Sequence, residues 1–403
     1  MRRFAGAGGR DRFEAVGVAV ATCVAGLVQS FFAARYVGLA GSRPGDTQQY
    51  ALLAKQYAEA GVTWTYSLWY VLVDASVVRS SSDDNWVAAS FVLQGALYFL
   101  KGAVLVLVVS LLGYRWPIAL GVSLLVGTAT AFPWPGHDIY RGTFPGSTYL
   151  SITQTLSTIA ITLVVGALVV YLRRPSIRRS ALLGAACLLL ALCKPSWVPG
   201  LLVAIATFTA WRHVYRERNL RQATSVAVLV LAPAFLIVAA SYAATLGGGG
   251  ILAGRDLIWE PFRNWNRWSE TPITDLVRSL AFPLVALPVL AVGWRRSNNE
   301  IRAAPRADPA SADRQALIVA WIAFSVSLAL YLGWTEFIPG WGYPTDFNLA
   351  WGVQSSVFAL NLLTALALVR VSSRLVILPA MVLIAQTATT LDWMFRVFPR
   401  KYG

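Results

Sequence analysis

The sequence predicts an all-α, polytopic integral membrane protein with about eleven transmembrane helices and amphipathic surface helices in its outer loops. Three observations predict it. Of 403 residues, 57% are hydrophobic and only 13% are charged, with a mean hydropathy of +0.57. Apolar runs of roughly 20 residues recur along the chain, the length a helix needs to cross a bilayer while satisfying its own backbone hydrogen bonds. Finally, the connections alternate in charge. Arg-rich turns such as Arg173-Arg174-Pro175-Ser176-Ile177-Arg178-Arg179 lie on one side. That side is assigned to the cytoplasm by the positive-inside rule. It holds only six of the 19 acids: Asp11, Glu14, Glu217, Glu300, Asp308 and Asp313. The others lie in or beside outward-facing loops.

The elements follow in order. A basic patch (Arg2, Arg3, Arg10, Arg12) precedes a first span at about 14–37, which lacks a clear cleavage site and is read as an uncleaved helix with a cytoplasmic amino terminus. Residues 39–86 form the first outer loop. Within it, 46–60 reads as a helix that starts at Gly45-Asp46 and ends at Gly61. Its apolar positions Tyr50, Leu53, Ala54 and Tyr57 would let it lie on the membrane surface. The aromatic stretch 64–78 is expected to dip into the interface. Spans follow at about 87–112, 116–132 and 149–172. Two short apolar segments, 180–193 and 197–211, flank Lys194-Pro195-Ser196 and put Lys194 at an outer turn. Further spans fall at about 223–245, 273–293, 315–334, 350–369 and 375–391. Trp259, Phe262, Trp265 and Trp268 suggest an interfacial helix in the loop after Gly250. Residues 295–314 form a polar cytoplasmic linker, and the whole chain 1–403 is one transmembrane domain without an internal repeat.

Composition narrows function. The net charge of +15 belongs to topology-fixing turns that meet lipid headgroups, so no nucleic-acid partner is expected. Cys23, Cys187 and Cys193 are odd in number and scattered, which argues against a disulfide framework. His137 and His213 fall on opposite sides, which argues against a Cys/His metal site. Lys101 lies deep in the second span, where a charge is costly; function, snorkelling and a misplaced span border all account for it.

The outer loops carry the candidate chemistry. Asp46 follows the first span and faces the outer aqueous boundary, where it can act as a general base or serve only as a helix cap. Arg43, Lys55, Arg141 and Lys194 are outward cations that can hold a phosphate or meet headgroups. Asp138 is a second acid or a turn residue, and Glu336 is a sugar-hydroxyl ligand or a solvated carboxylate.

In this order and sidedness the chain resembles the GT-C class of membrane glycosyltransferases, in its bacterial mannosyl- and arabinosyltransferase-like branch. The resemblance rests on a first-loop carboxylate before a surface helix and on three short segments. These are Gly142-Thr143-Phe144-Pro145-Gly146-Ser147-Thr148-Tyr149-Leu150, Leu192-Cys193-Lys194-Pro195-Ser196, and Asn348-Leu349-Ala350-Trp351-Gly352 with Glu336 upstream. Two features of some relatives are absent: Thr47 stands where a second acid would follow Asp46, and an Arg ahead of the Asn348 segment is missing. The resemblance implies inverting transfer of a sugar from a polyprenyl-phosphate donor to a hydroxyl of a lipid, glycan or protein acceptor. The transfer would occur on the extracytoplasmic face of the cell membrane. Asp46 would be the base, and Arg43, Lys55, Asp138, Arg141, Lys194, Glu336 and Asn348 would contact substrate. No cofactor is specified; a divalent cation, Mg²⁺ or Mn²⁺, would be held by Asp46 and Asp138 if one is used.

Three other classes compete. A transporter or flippase of lipid-linked saccharides should carry several mid-membrane ionisable groups, and here only Lys101 qualifies. A polysaccharide polymerase or ligase should carry a large late outer loop rich in Arg and His, unlike 336–349. A non-catalytic envelope scaffold would share the fold with an inactive Asp46.

Overall fold

The computed structural model describes residues 9–40, 46–60, 68–77, 82–133, 143–144, 152–217, 219–246, 256–301, 309–337, 347–371, 374–393 and 395. Nearly all of them are helical. Among them, seven helices are long and apolar enough to cross a membrane, or eight if one bent pair counts as a single span. The chain is therefore built as a multi-pass α-helical membrane protein.

The first helix, α1 (Gly9–Ala40), packs along α4 (Asp83–Leu111), with α2 (Asp46–Glu59) and α3 (Leu68–Ser76) between them in sequence. The α1–α4 crossing is close: a Cβ on Gly102 would fall 2.4 Å from the Ala25 carbonyl oxygen, so the small residues let the backbones touch. The apolar stripe of α2 faces protein rather than lipid. Ala51, Ala54 and Tyr57 are buried, and Tyr57 meets the Tyr70 ring edge-on at 5.1 Å. α3 likewise buries Trp69, Tyr70 and Val73 and bridges α2 to α4 and to the helices that follow. The described parts of the first outer loop, α2 and α3, thus pack on one another and on α4 through their apolar faces.

α5 (Trp116–Thr128) has 13 residues and reaches only about 20 Å, short of a full crossing. The Glu14 carboxylate accepts from the Trp116 backbone N–H at 2.9 Å, which seats the start of α5 beside α1. At the other end Lys101 Nζ donates to the Gly127 carbonyl at 2.8 Å. Lys101 is 1% exposed, so it ties two helices together and does not snorkel. The expected span 116–132 is helical only to Thr128. Residues 129–132 leave the helix and stay largely buried.

α6 (Ile152–Arg173) is almost wholly buried and runs to the Arg-rich turn. α7 (Ile177–Cys193) and α8 (Val198–Arg212) form the short hairpin, with 17 and 15 residues. α8 widens into a π-helical turn, His213–Glu217. The next span runs through α9 (Leu220–Val226), a second π-helical turn at Ala227–Leu231, and α10 (Ala232–Leu246). Pro233 explains that second turn. It lacks an N–H and its ring clashes with the carbonyl four residues back, that of Leu229. The displaced Leu229 oxygen points at α7, where a Cβ on Gly184 would lie 1.9 Å away.

The loop after α10 contains strand β1 (Asp256–Trp259) and then α11 (Arg263–Trp268). β1 therefore replaces the first part of the expected interfacial helix, which survives only as the six residues of α11. Next come α12 (Pro272–Ser279) and α13 (Ala281–Ile301), bent by 58°. Pro283 places its ring against the Ser279 carbonyl, which accounts for the break. α14 (Pro309–Gly333) leads into strand β2 (Trp334–Phe337), antiparallel to β1 with Ile258 opposite Thr335. Aromatic and β-branched residues suit these two short strands, which the all-α expectation did not include. α15 (Phe347–Val369), almost wholly buried, and α16 (Ile377–Asp392) complete the bundle.

The two ends of the bundle are defined by side-chain ties. At the Arg-rich end Asp313 (1% exposed) joins the loop after α4, the end of α6, the start of α14 and the residue after α15. The Tyr114 hydroxyl lies 3.0 Å from Asp313 Oδ2 and 2.8 Å from the Leu366 carbonyl, Arg370 Nε donates to Asp313 Oδ2, and Arg173 is 3.7 Å from Oδ1. Burial and then Asp313 push the Tyr114 phenol above its usual range. Burial works to lower Arg370, but Asp313 and Tyr114 together hold it above its ordinary value. The opposite end carries α2, α3, the β-ribbon and the Lys194 turn.

Candidate functional site

The site grows from the break between α7 and α8. Pro195 cannot continue a helix and pushes Lys194 to an extended backbone (φ −161°, ψ 104°). Pro195–Trp197 then makes one 3₁₀ turn into α8. This turn sits on the first turns of α15, where a Cβ on Gly352 would lie 2.6 Å from the Ser196 carbonyl oxygen. Lys194 is 4% exposed. Its ammonium donates to Thr153 Oγ1 at 3.0 Å and lies 4.2 Å from the centroid of the Trp351 ring. A buried cation over an indole face is held strongly because little water competes.

Three distant segments therefore meet: the start of α6, the Lys-Pro-Ser turn and the start of α15. Buried polar atoms collect around them. Ser196 Oγ, Trp197 Nε1, Gln154 Oε1 and Ser157 Oγ have no hydrogen-bond partner among the described residues. Gln154 Nε2 does donate to Ser355 Oγ at 3.2 Å, which ties α6 to α15. Buried groups left open in this way call for water or a ligand polar group.

The remaining expected residues divide. Asp46 opens α2 and Asn348 lies in the first turn of α15, three residues before Trp351; the side chains of both lie outside the described set. Glu336 is on β2 opposite Leu257, with its side chain also outside that set. Arg43, Asp138 and Arg141 lie outside the described residues altogether. Lys55 is described and is engaged elsewhere: its Nζ is 2.5 Å from Asp83 Oδ1 and 3.5 Å from Glu59 Oε1. The hydrogen bond to Asp83 raises its pKa above the usual lysine value. Lys55 thus joins α2 to the start of α4. α3, packed on α2, also touches α6 and α7, so the first outer loop shares an end of the bundle with the Lys194 turn.

Sequence reasoning missed a second buried polar group. Arg278 pairs with Asp275 at 2.8 Å and donates through Nε to the Phe132 carbonyl at 3.0 Å, both residues being 3% exposed. Ser269 Oγ donates to Asp275 Oδ2 at 2.6 Å, and Gln386 Nε2 donates to the Thr130 carbonyl at 3.1 Å. Together these bonds satisfy the two stretches of broken helix, at 129–132 and at the α12–α13 bend. Pro283 was the signal available for the bend. Among the described residues no three His, Cys, Asp or Glu side chains gather as a metal site would require.

No known protein family, curated protein or solved structure matches this chain.

Proposed function

We propose that this chain is a GT-C type membrane glycosyltransferase that moves a sugar from a polyprenyl-phosphate donor to an acceptor hydroxyl on a lipid, glycan or protein. The observation that supports it most is the Lys194 junction. A buried ammonium is presented beside open polar atoms, where two of the segments named for their resemblance to that class, Leu192–Ser196 and Asn348–Gly352, meet the start of α6. In the proposed reaction the acceptor oxygen attacks the anomeric carbon and gives its proton to the Asp46 carboxylate. The bond from that carbon to the phosphate oxygen breaks, and polyprenyl phosphate leaves as an anion. Lys194 holds that anion, since a fixed cation in a water-poor site stabilises developing charge. Trp351 and the start of α15, with Asn348, would orient the donor. A divalent cation, if the reaction uses one, would be held by Asp46 and Asp138. In this reading the eleven helical segments all cross or enter the cell membrane, with α5, α7 and α8 as short members, the Arg-rich end cytoplasmic and the site extracytoplasmic.

A flippase or transporter of lipid-linked saccharides is the second reading. It is favoured by the α12–α13 bend and by the buried ionisable groups Lys101, Asp275 and Arg278. It is weakened because these groups are tied to backbone and to one another.

The test is sugar release by purified protein from a panel of polyprenyl-phosphate sugars, alongside donor translocation in sealed vesicles. Asp46→Asn should stay folded, because Asn caps a helix about as well as Asp, yet lose about 10²–10⁴-fold in turnover. Lys194→Ala should weaken donor binding as well as turnover. Near-normal turnover in Asp46→Asn would leave that residue as a helix cap. Translocation without sugar release would favour the second reading.

A further inference from the structure

We propose that Thr153, Trp351 and Gly352 are positioning residues for the proposed transfer, fixing the point at which the Lys194 ammonium can meet the leaving phosphate. The inference takes its purpose from the glycosyl-transfer reading and its content from the contacts of Lys194. A lysine ammonium ends a flexible carbon chain and takes many positions unless its surroundings choose one. Here two other helices choose it. Thr153 on α6 is 1% exposed, and its Oγ1 accepts from Lys194 Nζ at 3.0 Å. Threonine is branched at Cβ and stiff at χ1, so this acceptor has a fixed place. The second contact comes from α15, where the Trp351 ring centroid lies 4.2 Å from the same nitrogen. An indole face attracts a cation most where water is kept away, and Lys194 is 4% exposed.

The spacing of the elements is itself set beside the ammonium. Gln154, next to Thr153, donates to Ser355 Oγ at 3.2 Å and so joins α6 to α15. Gly352, next to Trp351, lies so close to the Lys-Pro-Ser turn that a Cβ there would fall 2.6 Å from the Ser196 carbonyl oxygen. That neighbour is backbone and cannot swing aside as the end of a side chain could. A methyl at 352 must therefore part α15 from the turn. The shift falls on Trp351 in the one element and on Lys194 in the other. A displacement of about 1 Å at a reacting group can cost about a hundredfold in rate. Contacts like these also hold helices together whatever the chain does. A positioning role differs in that its loss acts only through Lys194.

The experiment has two arms, both on the purified full chain. In the first, brief acetylation with acetic anhydride, read by mass spectrometry, reports how firmly the Lys194 amine is held. Lys194 should react slowly in the wild type and about tenfold faster in Thr153→Val, Trp351→Leu and Gly352→Ala, the scale of one lost contact to a desolvated cation. Thr153→Ser keeps the hydroxyl and should match the wild type. So should Gly95→Ala, where a Cβ meets nothing within 4 Å. In the second arm, single-turnover sugar release from a polyprenyl-phosphate sugar is measured for the same variants, with Lys194 present and in the Lys194→Ala chain. Thr153→Val, Trp351→Leu and Gly352→Ala should each slow release about tenfold when Lys194 is present and have no further effect once it is gone. Equal losses in both backgrounds would assign these residues to packing alone and overturn the proposal. Wild-type acetylation in both Thr153→Val and Trp351→Leu would overturn it as well, and these two variants decide the matter if Gly352→Ala does not fold. No sugar release by the wild type, with acetylation as expected, would overturn the glycosyl-transfer reading and leave these residues as the holders of Lys194.

Discussion

Asp313 carries more of the Arg-rich end than its position suggests. One carboxylate serves Arg370, Arg173 and the Tyr114 hydroxyl, from three other parts of the chain. Removing one partner of a buried ion pair leaves the other charge uncompensated, which typically costs about 3–5 kcal/mol. Both arginines are about a quarter exposed, so the lower end of that range applies. Asp313→Ala should therefore lower stability by about 3 kcal/mol in thermal unfolding of detergent-solubilised protein. Tyr114→Phe, which loses one bond to a charged group, should cost about 1.5 kcal/mol. An Asp313→Ala protein that melts with the wild type would show that the arginines find water instead. None of this was legible in the sequence, where Tyr114 and Asp313 stand 199 residues apart and Asp313 is one polar residue of an Arg-rich linker. Lys194 was legible for the opposite reason: its setting is local, because the proline after it must end the helix and expose a turn. Its partners Thr153 and Trp351 were not, since no periodicity pairs residues on different helices.

At the scale of elements, the helices follow from hydropathy but their breaks follow from prolines and from tertiary bonds. Pro283 and Pro233 each displace the carbonyl four residues earlier, and the helix yields there as a bend or as a π-helical turn. The stop of α5 at Thr128 has no such local cause. Pro133 comes five residues later, and the end is set by Lys101 on Gly127 and by Thr390 Oγ1 donating to the Thr128 carbonyl at 2.6 Å. The Leu229 carbonyl displaced by Pro233 needs a neighbour without a side chain, and Gly184 supplies it. Gly184→Ala would set a methyl 1.9 Å from that oxygen, which must push α7 off α9 and α10. We expect a loss of about 1–3 kcal/mol, the usual cost of overpacking. Gly95→Ala is the control: a Cβ there meets nothing within 4 Å, so it should be neutral or stabilise by up to about 1 kcal/mol. Equal melting temperatures for the two variants would mean that the α7 contact adjusts freely.

At the scale of the molecule, function depends on which end faces out. The ties at Asp313 and Glu14 gather the loop after α4 and the residues 173, 313 and 370 at one end. The Lys194 turn, the β-ribbon and the Lys55–Asp83 pair lie at the other. Such a division fixes the relative sides of the loops, while the absolute direction rests on the arginines, which resist transfer across the bilayer. Cysteines introduced at Ser82 and at Arg178 test that direction, because both positions are exposed and lie at opposite ends. The native thiols interfere little: Cys187 and Cys193 are buried, and Cys23 is exposed only along the apolar α1 helix, away from water. In intact cells an impermeant thiol reagent should label the cysteine at Ser82 and spare the one at Arg178, which should react only after the membrane is opened. The reverse pattern would place the Lys194 junction in the cytoplasm. There a polyprenyl-phosphate donor on the outer leaflet could not reach it, and the extracytoplasmic glycosyl transfer would have to be abandoned.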